Sequence, residues 1–397
     1  MQTAARYAAA IEVLDDIIEG AAAEKALTRW ARSHRFAGSK DRAALRDHVF
    51  DALRMRRSCA ALGGAHSGRG LIIGLCLQQN VDLAQVFTGA GHAPDPLSAA
   101  ERAYLPSDCE AALKSQPAAV RFDCQDWVYE RLQTQLETDV ADVLATQQHR
   151  APVFLRVNTL KSRPEQALAR LAEDAIEAIP VANFKNALEV TANERKLRNS
   201  KALETGLIEL QDISSQASVS ALKIPAHARI LDYCAGGGGK SLALAAHPSR
   251  PSAIYAHDAA PTRLRDLPMR AKRAGADISI IETDNLRDHG PFDLVFVDAP
   301  CSGSGTWRRT PDAKWRLTEA DLDRYIKIQL EILETAAELV SEAGQLCYAT
   351  CSIFTDENEA QLSRFQAAHP GWIVTAQARA DMATRGDGFF SASLRRS

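Results

Sequence analysis

Nowhere in the 397 residues does an apolar run approach the ~18 residues of a membrane span, so no membrane partner is expected. There is no internal repeat and no low-complexity segment. The N-terminus, Met1 to Gly20, carries Glu12, Asp15 and Asp16 inside a helical apolar pattern, which does not read as a signal peptide. Charge of one sign is also missing. A formal net charge of −3 is no global mark of a nucleic-acid binder. The eight cysteines (59, 76, 109, 124, 234, 301, 347, 351) lack the spacing of a disulfide framework, so a reducing, cytoplasmic setting is expected. No histidine cluster or second cysteine pair accompanies Cys347 and Cys351, so no metal is expected.

What is present is ordinary globular composition, 46% hydrophobic and 24% charged, in a chain too long for one core. Three domains are expected. Residues 1–145 read as helical, with Ile11, Leu14, Ile17 and Ile18 on one face and Ala43, Leu45, Val49, Phe50 and Leu53 on another. A Pro-rich stretch from Gly89 to Pro117 interrupts them. Residues 150–222 read as a small α+β unit, with strands at 153–158, 187–190 and 207–210 and a helix from Pro164 to Ala178. From 223 to 397 strands (229–233, 253–257, 278–282, 293–297, 344–349) alternate with helices (near 240–247, 261–274, 318–340, 356–368). That alternation predicts an α/β fold with a mostly parallel sheet covered on both faces.

The chemistry gathers at strand ends in this last region. Strand 229–233 runs into Cys234-Ala235-Gly236-Gly237-Gly238-Gly239-Lys240, which opens a helix. Glycines there let the backbone approach a ligand and present N–H groups at a helix start. The spacing is neither that of G-x-G-x-x-G nor that of a P-loop. Asp258 ends the next strand, where a carboxylate can accept ribose hydroxyls, and Asp284 ends the third, near an adenine edge. Strand-end capping is the plainer reading of both acids.

Two cysteines follow buried strands: Asp298-Ala299-Pro300-Cys301-Ser302-Gly303, and Tyr348-Ala349-Thr350-Cys351-Ser352. A thiolate added to C6 of a pyrimidine turns C5 into an enamine-like carbon able to attack a sulfonium methyl. Lowering a free thiol from ~8.5 to about 7 needs roughly 2 kcal/mol from the surroundings. Asp298 is placed to hydrogen-bond the cytosine N3/N4 edge. Cys347 points to the opposite strand face and reads as core.

Two basic clusters are candidates for nucleic-acid contact. Arg29 to Arg57 holds nine Lys/Arg against three acids, with Trp30 and Phe36 interleaved; Arg308, Arg309, Lys314 and Arg316 are flanked by Trp307 and Trp315. Clustered cations bind phosphates and aromatics stack on bases, but a solvated helix face has the same look.

Together these segments resemble the Sun/NOP2-type RNA cytosine-5 methyltransferases. The motif at 298–306 resembles the family's Pro-Cys motif, and Tyr348–Ser352 with Glu357-Asn358-Glu359 its Thr-Cys motif. Leu155–Thr159 and Gln211–Gln216 are similar to its pre-catalytic segments. The resemblance implies a Rossmann-like S-adenosyl-L-methionine-dependent methyltransferase domain over 223–397, with a small α+β RNA-binding subdomain before it. It implies Cys351 as the nucleophile, Cys301 as the group that assists release, and Asp298 beside them. Cofactor contacts would fall on Cys234, Ala235, Gly236, Gly237, Gly238, Gly239, Lys240, Asp258, Arg263, Asp284 and Asp298. The loop departs from the family pattern in having glycine where a proline is frequent. Ala5-Arg6, Val13-Leu14, Asp41-Arg42 and Leu53-Arg54 resemble a NusB-like RNA-binding domain. The expected substrate is RNA, foremost small-subunit rRNA; tRNA or large-subunit rRNA are alternatives. A non-catalytic ribosome-assembly factor leaves the two cysteines and Asp298 unexplained, and a nicotinamide dehydrogenase leaves both thiol motifs unexplained.

Overall fold

The computed structural model describes residues 1–136, 139–380, 382 and 385–397. Its contacts group the chain into two units: Met1–Arg150 with Trp307–Leu317, and Ala151–Thr306 with Thr318–Ser397.

The first unit is built from helices. In Thr3–Ile18 the buried face is Ala10, Val13, Leu14 and Ile17, at helical i, i+3, i+4, i+7 spacing. Ile11 and Ile18 are only half-buried, so the true face is turned toward the small alanines, which allow closer packing. It meets Ser39–Arg54 (Leu45, Val49, Leu53) and the apolar helix Gly68–Gln78 (Leu71 to Cys76) in one core.

The segment Trp307–Leu317 belongs to this unit, although sequence alternation places it inside the C-terminal region. Arg54 Nε donates to Arg308 O (2.7 Å), Trp315 Nε1 to Leu53 O (2.7 Å), and Gln125 Nε2 to the carbonyls of Lys314 (2.8 Å) and Leu317 (2.9 Å). Trp307, Arg308 and Lys314 are buried, which corrects the reading of this cluster as an RNA-facing patch for those residues, while Arg309 is half-buried and Arg316 exposed. The first cluster is corrected in part. Arg54 is buried against Asp51, Arg57 holds Asp126 and Cys124 O, and Arg56 covers the Trp315 ring. Arg32, Arg35 and Lys40 remain exposed.

The second unit contains two sheets. β1 (Val153–Val157), β2 (Glu177–Pro180), β3 (Ala187–Ala192) and β4 (Ile208–Leu210) form an antiparallel sheet in the order β2-β3-β1-β4. The helix Pro164–Glu173 packs Ala167 and Leu171 against Leu155, Val157 and Leu188.

The larger sheet uses β5 (Arg229–Asp232), β6 (Ala253–Ala256), β7 (Ser279–Ile280), β8 (Phe292–Asp298), β9 (Val340–Thr350), β10 (Trp372–Ala380) and β11 (Phe389–Arg396). Their order is β7-β6-β5-β8-β9-β11-β10; the first five are parallel, while β11 joins β9, and β10 joins β11, antiparallel. Along β8, Val295 and Val297 enter one core and Leu294 and Phe296 the other, so both sheet faces are covered. Cys347 packs in the second of these cores, as expected of a core residue, but Cys351 packs against the same core, which corrects its placement on the opposite face. The closing hairpin is absent from the sequence expectation. Half-exposed alternation such as Ile373 to Ala380 carries little strand signal, and pairing with β9 decides it.

Candidate functional site

Chain direction across the large sheet reverses between β5 and β8. From β5 it steps outward through β6 to β7, then returns to β8 and continues to β9. Neighbouring connections therefore diverge at the carboxyl ends of β5 and β8 and leave a crevice there.

The glycine loop leaves β5 at this point. Gly236 and Gly238 have positive φ (+52° and +79°), and a Cβ on Gly238 would lie 2.2 Å from Leu267 Cδ1. A Cβ on Gly239 would meet nothing within 4 Å, so the loop faces open space there. Asp258, buried at the end of β6, takes the Gly236 N–H on Oδ2 (2.9 Å) and the Ala260 N–H on Oδ1 (2.9 Å), with Arg263 at 3.3 Å. It thus shapes the loop as a strand-end cap and keeps lone pairs for a ligand. Asp232, fully buried at the root of the loop, takes the Ser241 hydroxyl on Oδ2 (2.6 Å), while its Oδ1 has no partner among the described residues. Burial, opposed by the Ser241 hydrogen bond, pushes its carboxyl up to about 7. Burial likewise pushes the Cys234 thiol well above its usual range. Asp284 sits exposed in the turn Thr283–Asn285, apart from these contacts.

The thiols meet at the neighbouring strand ends. Register pairs Asp298 with Ala349, and the Ala299 N–H bonds Ala349 O (2.8 Å). The two strands thus exit side by side, and Cys301 Sγ lies 3.4 Å from Cys351 Sγ. Both residues are half-buried. The Gly305 N–H closes onto Cys351 O (2.9 Å), and a Cβ on Gly305 would sit 1.9 Å from Gly388 O, which demands glycine. The hydrogen bond to Cys351, followed by burial, holds the Cys301 thiol well above its ordinary pKa.

Lys240, the last loop residue, reaches from the cofactor side to this pair. Its Nζ is 2.5 Å from Asp298 Oδ2 and lies over the Phe389 ring. Burial pulls its pKa down, but the Asp298 charge and hydrogen bond outweigh that, aided by Cys351 and Asp232, and the net shift is upward. A cation is therefore held where a thiolate would form. The fold brings together Cys301, Cys351, Asp298 and Lys240 as one group, and Gly236, Asp258 and Arg263 as another.

Glu357, Ser302, Ser352, Gln329 and Asp232 are missed as site residues by sequence reasoning. Glu357 stands in the Glu-Asn-Glu that follows Thr-Cys, so the available signal was an acid in a motif whose other members carry chemistry.

A doubly wound sheet with a glycine cradle, a strand-end acid and an orphaned carboxylate oxygen at its switch point forms a Rossmann-like crevice suited to a nucleotide-like cofactor. Residues 219–395 match the model of the 16S rRNA methyltransferase RsmB/F family, and residues 125–194 that of the RsmF/B-like ferredoxin-like domain. The chain is 31% identical over 290 residues to ribosomal RNA small subunit methyltransferase B of Salmonella arizonae, covering 69% of this chain and 66% of the relative. It is 30% identical over 288 residues to the protein of that name from Citrobacter koseri, covering 69% and 67%. The chain thus spans about two thirds of the length of these relatives. In fold it resembles PH0851 (TM-score 0.75, 22% identity, 100% of this chain and 99% of that one). It also resembles a methyltransferase homolog protein from Pyrococcus horikoshii (TM-score 0.61, 23% identity, 70% and 98%). The chain belongs to the RsmB/F family.

Proposed function

We propose that this protein methylates C5 of a cytosine in small-subunit rRNA through a covalent Cys351–C6 adduct. The observation that carries the reading is the 3.4 Å approach of Cys301 and Cys351 beside the Lys240–Asp298 ion pair. The names of the relatives support rRNA as the substrate, and the cytoplasm follows as the place of action. The exposed cations of the first unit, Arg32, Arg35 and Lys40, and its NusB-like resemblance support a share in RNA binding.

S-adenosyl-L-methionine, when bound, supplies an electrophilic methyl group; Asp258 and the glycine-loop amides would hold it, with Asp232 Oδ1 and Arg263 at hand. Lys240 stabilises the Cys351 thiolate electrostatically. Cys351 then adds to C6 of the flipped-out base, and charge builds at C5 and around N3. Asp298, oriented by Lys240, faces the base edge. Once C5 carries the methyl, its proton must leave before the C6–S bond can break. Solvent water takes that proton, and Cys301, adjacent to the adduct sulfur, donates its thiol hydrogen to the departing Cys351 sulfur and so assists release.

The test is transfer of labelled methyl groups to small-subunit rRNA with single-cysteine variants. Cys351→Ala should lower turnover by at least about 1,000-fold, with cofactor affinity near normal. Cys301→Ala should stall release and accumulate an RNA–protein adduct that survives denaturing electrophoresis and vanishes in the double variant. An adduct trapped by Cys351→Ala and not by Cys301→Ala would reverse the two roles.

A further inference from the structure

The chemistry above leaves one buried acid between the two thiol loops unused. Glu357 has no exposure to solvent and ends the short turn Thr355–Glu357. Its Oε1 accepts the Ser302 N–H (2.8 Å) and Gln329 Nε2 (3.0 Å). Its Oε2 accepts the hydroxyls of Ser302 (2.6 Å) and Ser352. Ser302 directly follows Cys301, and Ser352 directly follows Cys351. One carboxylate therefore ties the chain just beyond each thiol.

The surrounding bonds tighten the same knot. Gln329 also donates to Pro300 O (3.0 Å), on the other side of Cys301. The Ser304 and Ser352 hydroxyls are hydrogen-bonded (3.0 Å), and Ser304 Oγ accepts the Ile353 N–H (2.9 Å). Asn358 takes the Thr350 hydroxyl on Oδ1 (2.5 Å) and donates to Ser352 O (3.0 Å), bracketing Cys351. Burying a carboxylate is costly even when its donors are satisfied, and an apolar side chain of similar volume would fill the space without that cost. A buried acid whose donors come from both thiol loops is suited to fixing geometry.

We propose that Glu357 is a positioning residue that sets the separation and orientation of Cys301 and Cys351 by holding Ser302 and Ser352 on one carboxylate. The proposal rests on the reading that the two thiols act in one reaction. Glu357 touches neither thiol and acts through the two serines. Burial, opposed by its four donors, raises its carboxyl above the ordinary range. The acid limb of turnover should therefore reflect loss of this clamp as Glu357 takes up a proton.

Glu357→Gln keeps the volume but cannot accept both hydroxyls and the Ser302 N–H, because one oxygen becomes a donor. Its kcat should fall about 100-fold, with KM for RNA and for S-adenosyl-L-methionine within about threefold of wild type, since misplacement by ~1 Å is costly to chemistry and not to binding. A second readout is independent of methyl transfer. Diamide oxidises two thiols to a disulfide, taking up both hydrogens to become the hydrazine. Sulfurs held 3.4 Å apart should close readily to the ~2.05 Å bond in the wild type, read by peptide mapping as a Cys301–Cys351 link. Glu357→Gln should slow that closure by about tenfold or more. If Glu357→Gln does not fold, Ser302→Ala/Ser352→Ala removes the two hydroxyl arms and should reproduce both losses. Wild-type kcat and wild-type disulfide rate in either variant would overturn the proposal. Should the wild type transfer no methyl group to any RNA, the functional reading fails while the disulfide rates still decide the role of Glu357.

Discussion

Lys240 and Lys314 are both withdrawn from water, one in each unit, and their surroundings push them in opposite directions. Lys240 Nζ meets the Asp298 carboxylate directly, and its pKa is raised despite burial. Lys314 Nζ meets a backbone carbonyl, Arg54 O at 3.3 Å, with Asp123 acting at longer range, and burial drags it down to about 8. A carboxylate in contact offsets desolvation; a peptide carbonyl and a remote charge do not. The difference separates function from architecture. Lys240 keeps its charge beside the Cys301–Cys351 pair, which suits the proposed thiolate, while Lys314 ties the Trp307–Leu317 strap to Arg54 O within the helical unit.

The strongest way to break this comparison is Lys240→Met. Loss of the cation should lower methyl transfer by about 100-fold or more, as for other removed electrostatic stabilisers. Steady-state rates with labelled cofactor measure it, and retention of a third of wild-type turnover would mean that the thiolate finds its stabilisation elsewhere.

A smaller effect is expected from Lys314→Met. Asp123 is fully buried and takes donors from Arg57, Ser58 and Gln148, and its charge is compensated by Lys314. Removing the cation should lower the melting temperature by roughly 5 °C, with kcat unchanged at temperatures below the transition. The double change Lys314→Met/Asp123→Asn should recover part of the loss, because the pair is coupled. Equal losses in single and double variants would show that Lys314 acts through packing alone.

The smallest effect sharpens the sign. The folded pKa of Lys314, about 8, lies below the ~10.4 of a free lysine. Between those values the unfolded chain binds the extra proton, so this group's contribution to stability rises with pH across the window. The melting temperature of the wild type minus that of Lys314→Met should therefore increase from pH 8 to pH 10. A flat or falling difference would place the Lys314 pKa at its ordinary value.

Legibility from sequence differs between these regions for physical reasons. β5 and β8 are short β-branched or aromatic runs bounded by loop residues, and their strand character is local. The glycine loop and the cysteine motifs are local too, and sit at strand ends. The basic and aromatic run 307–316 reads as an RNA-facing patch, because local composition cannot show that Arg54, Gln125 and Leu53 receive it inside a helical core. The β10–β11 hairpin stays hidden because its residues are half polar and its partner β9 lies far back in the chain. Glu357 looks like a surface acid until Ser302 and Ser352 arrive from two strands.

The sequence by itself determined the parallel strands β5, β6, β8 and β9, the cradle, and the two thiols with their acid, since each depends on short-range periodicity and on residue types confined to a few consecutive positions. Tertiary structure alone decided that Cys301 and Cys351 stand 3.4 Å apart, that Lys240 pairs with Asp298, that Glu357 joins both loops, and that Trp30, Arg54, Trp307, Arg308 and Lys314 of the expected RNA-facing clusters are buried. Those outcomes depend on the parallel pairing of β8 with β9 and on burial of the 307–317 strap. Both set charge and distance between residues separated by tens to hundreds of positions, and no local pattern encodes them.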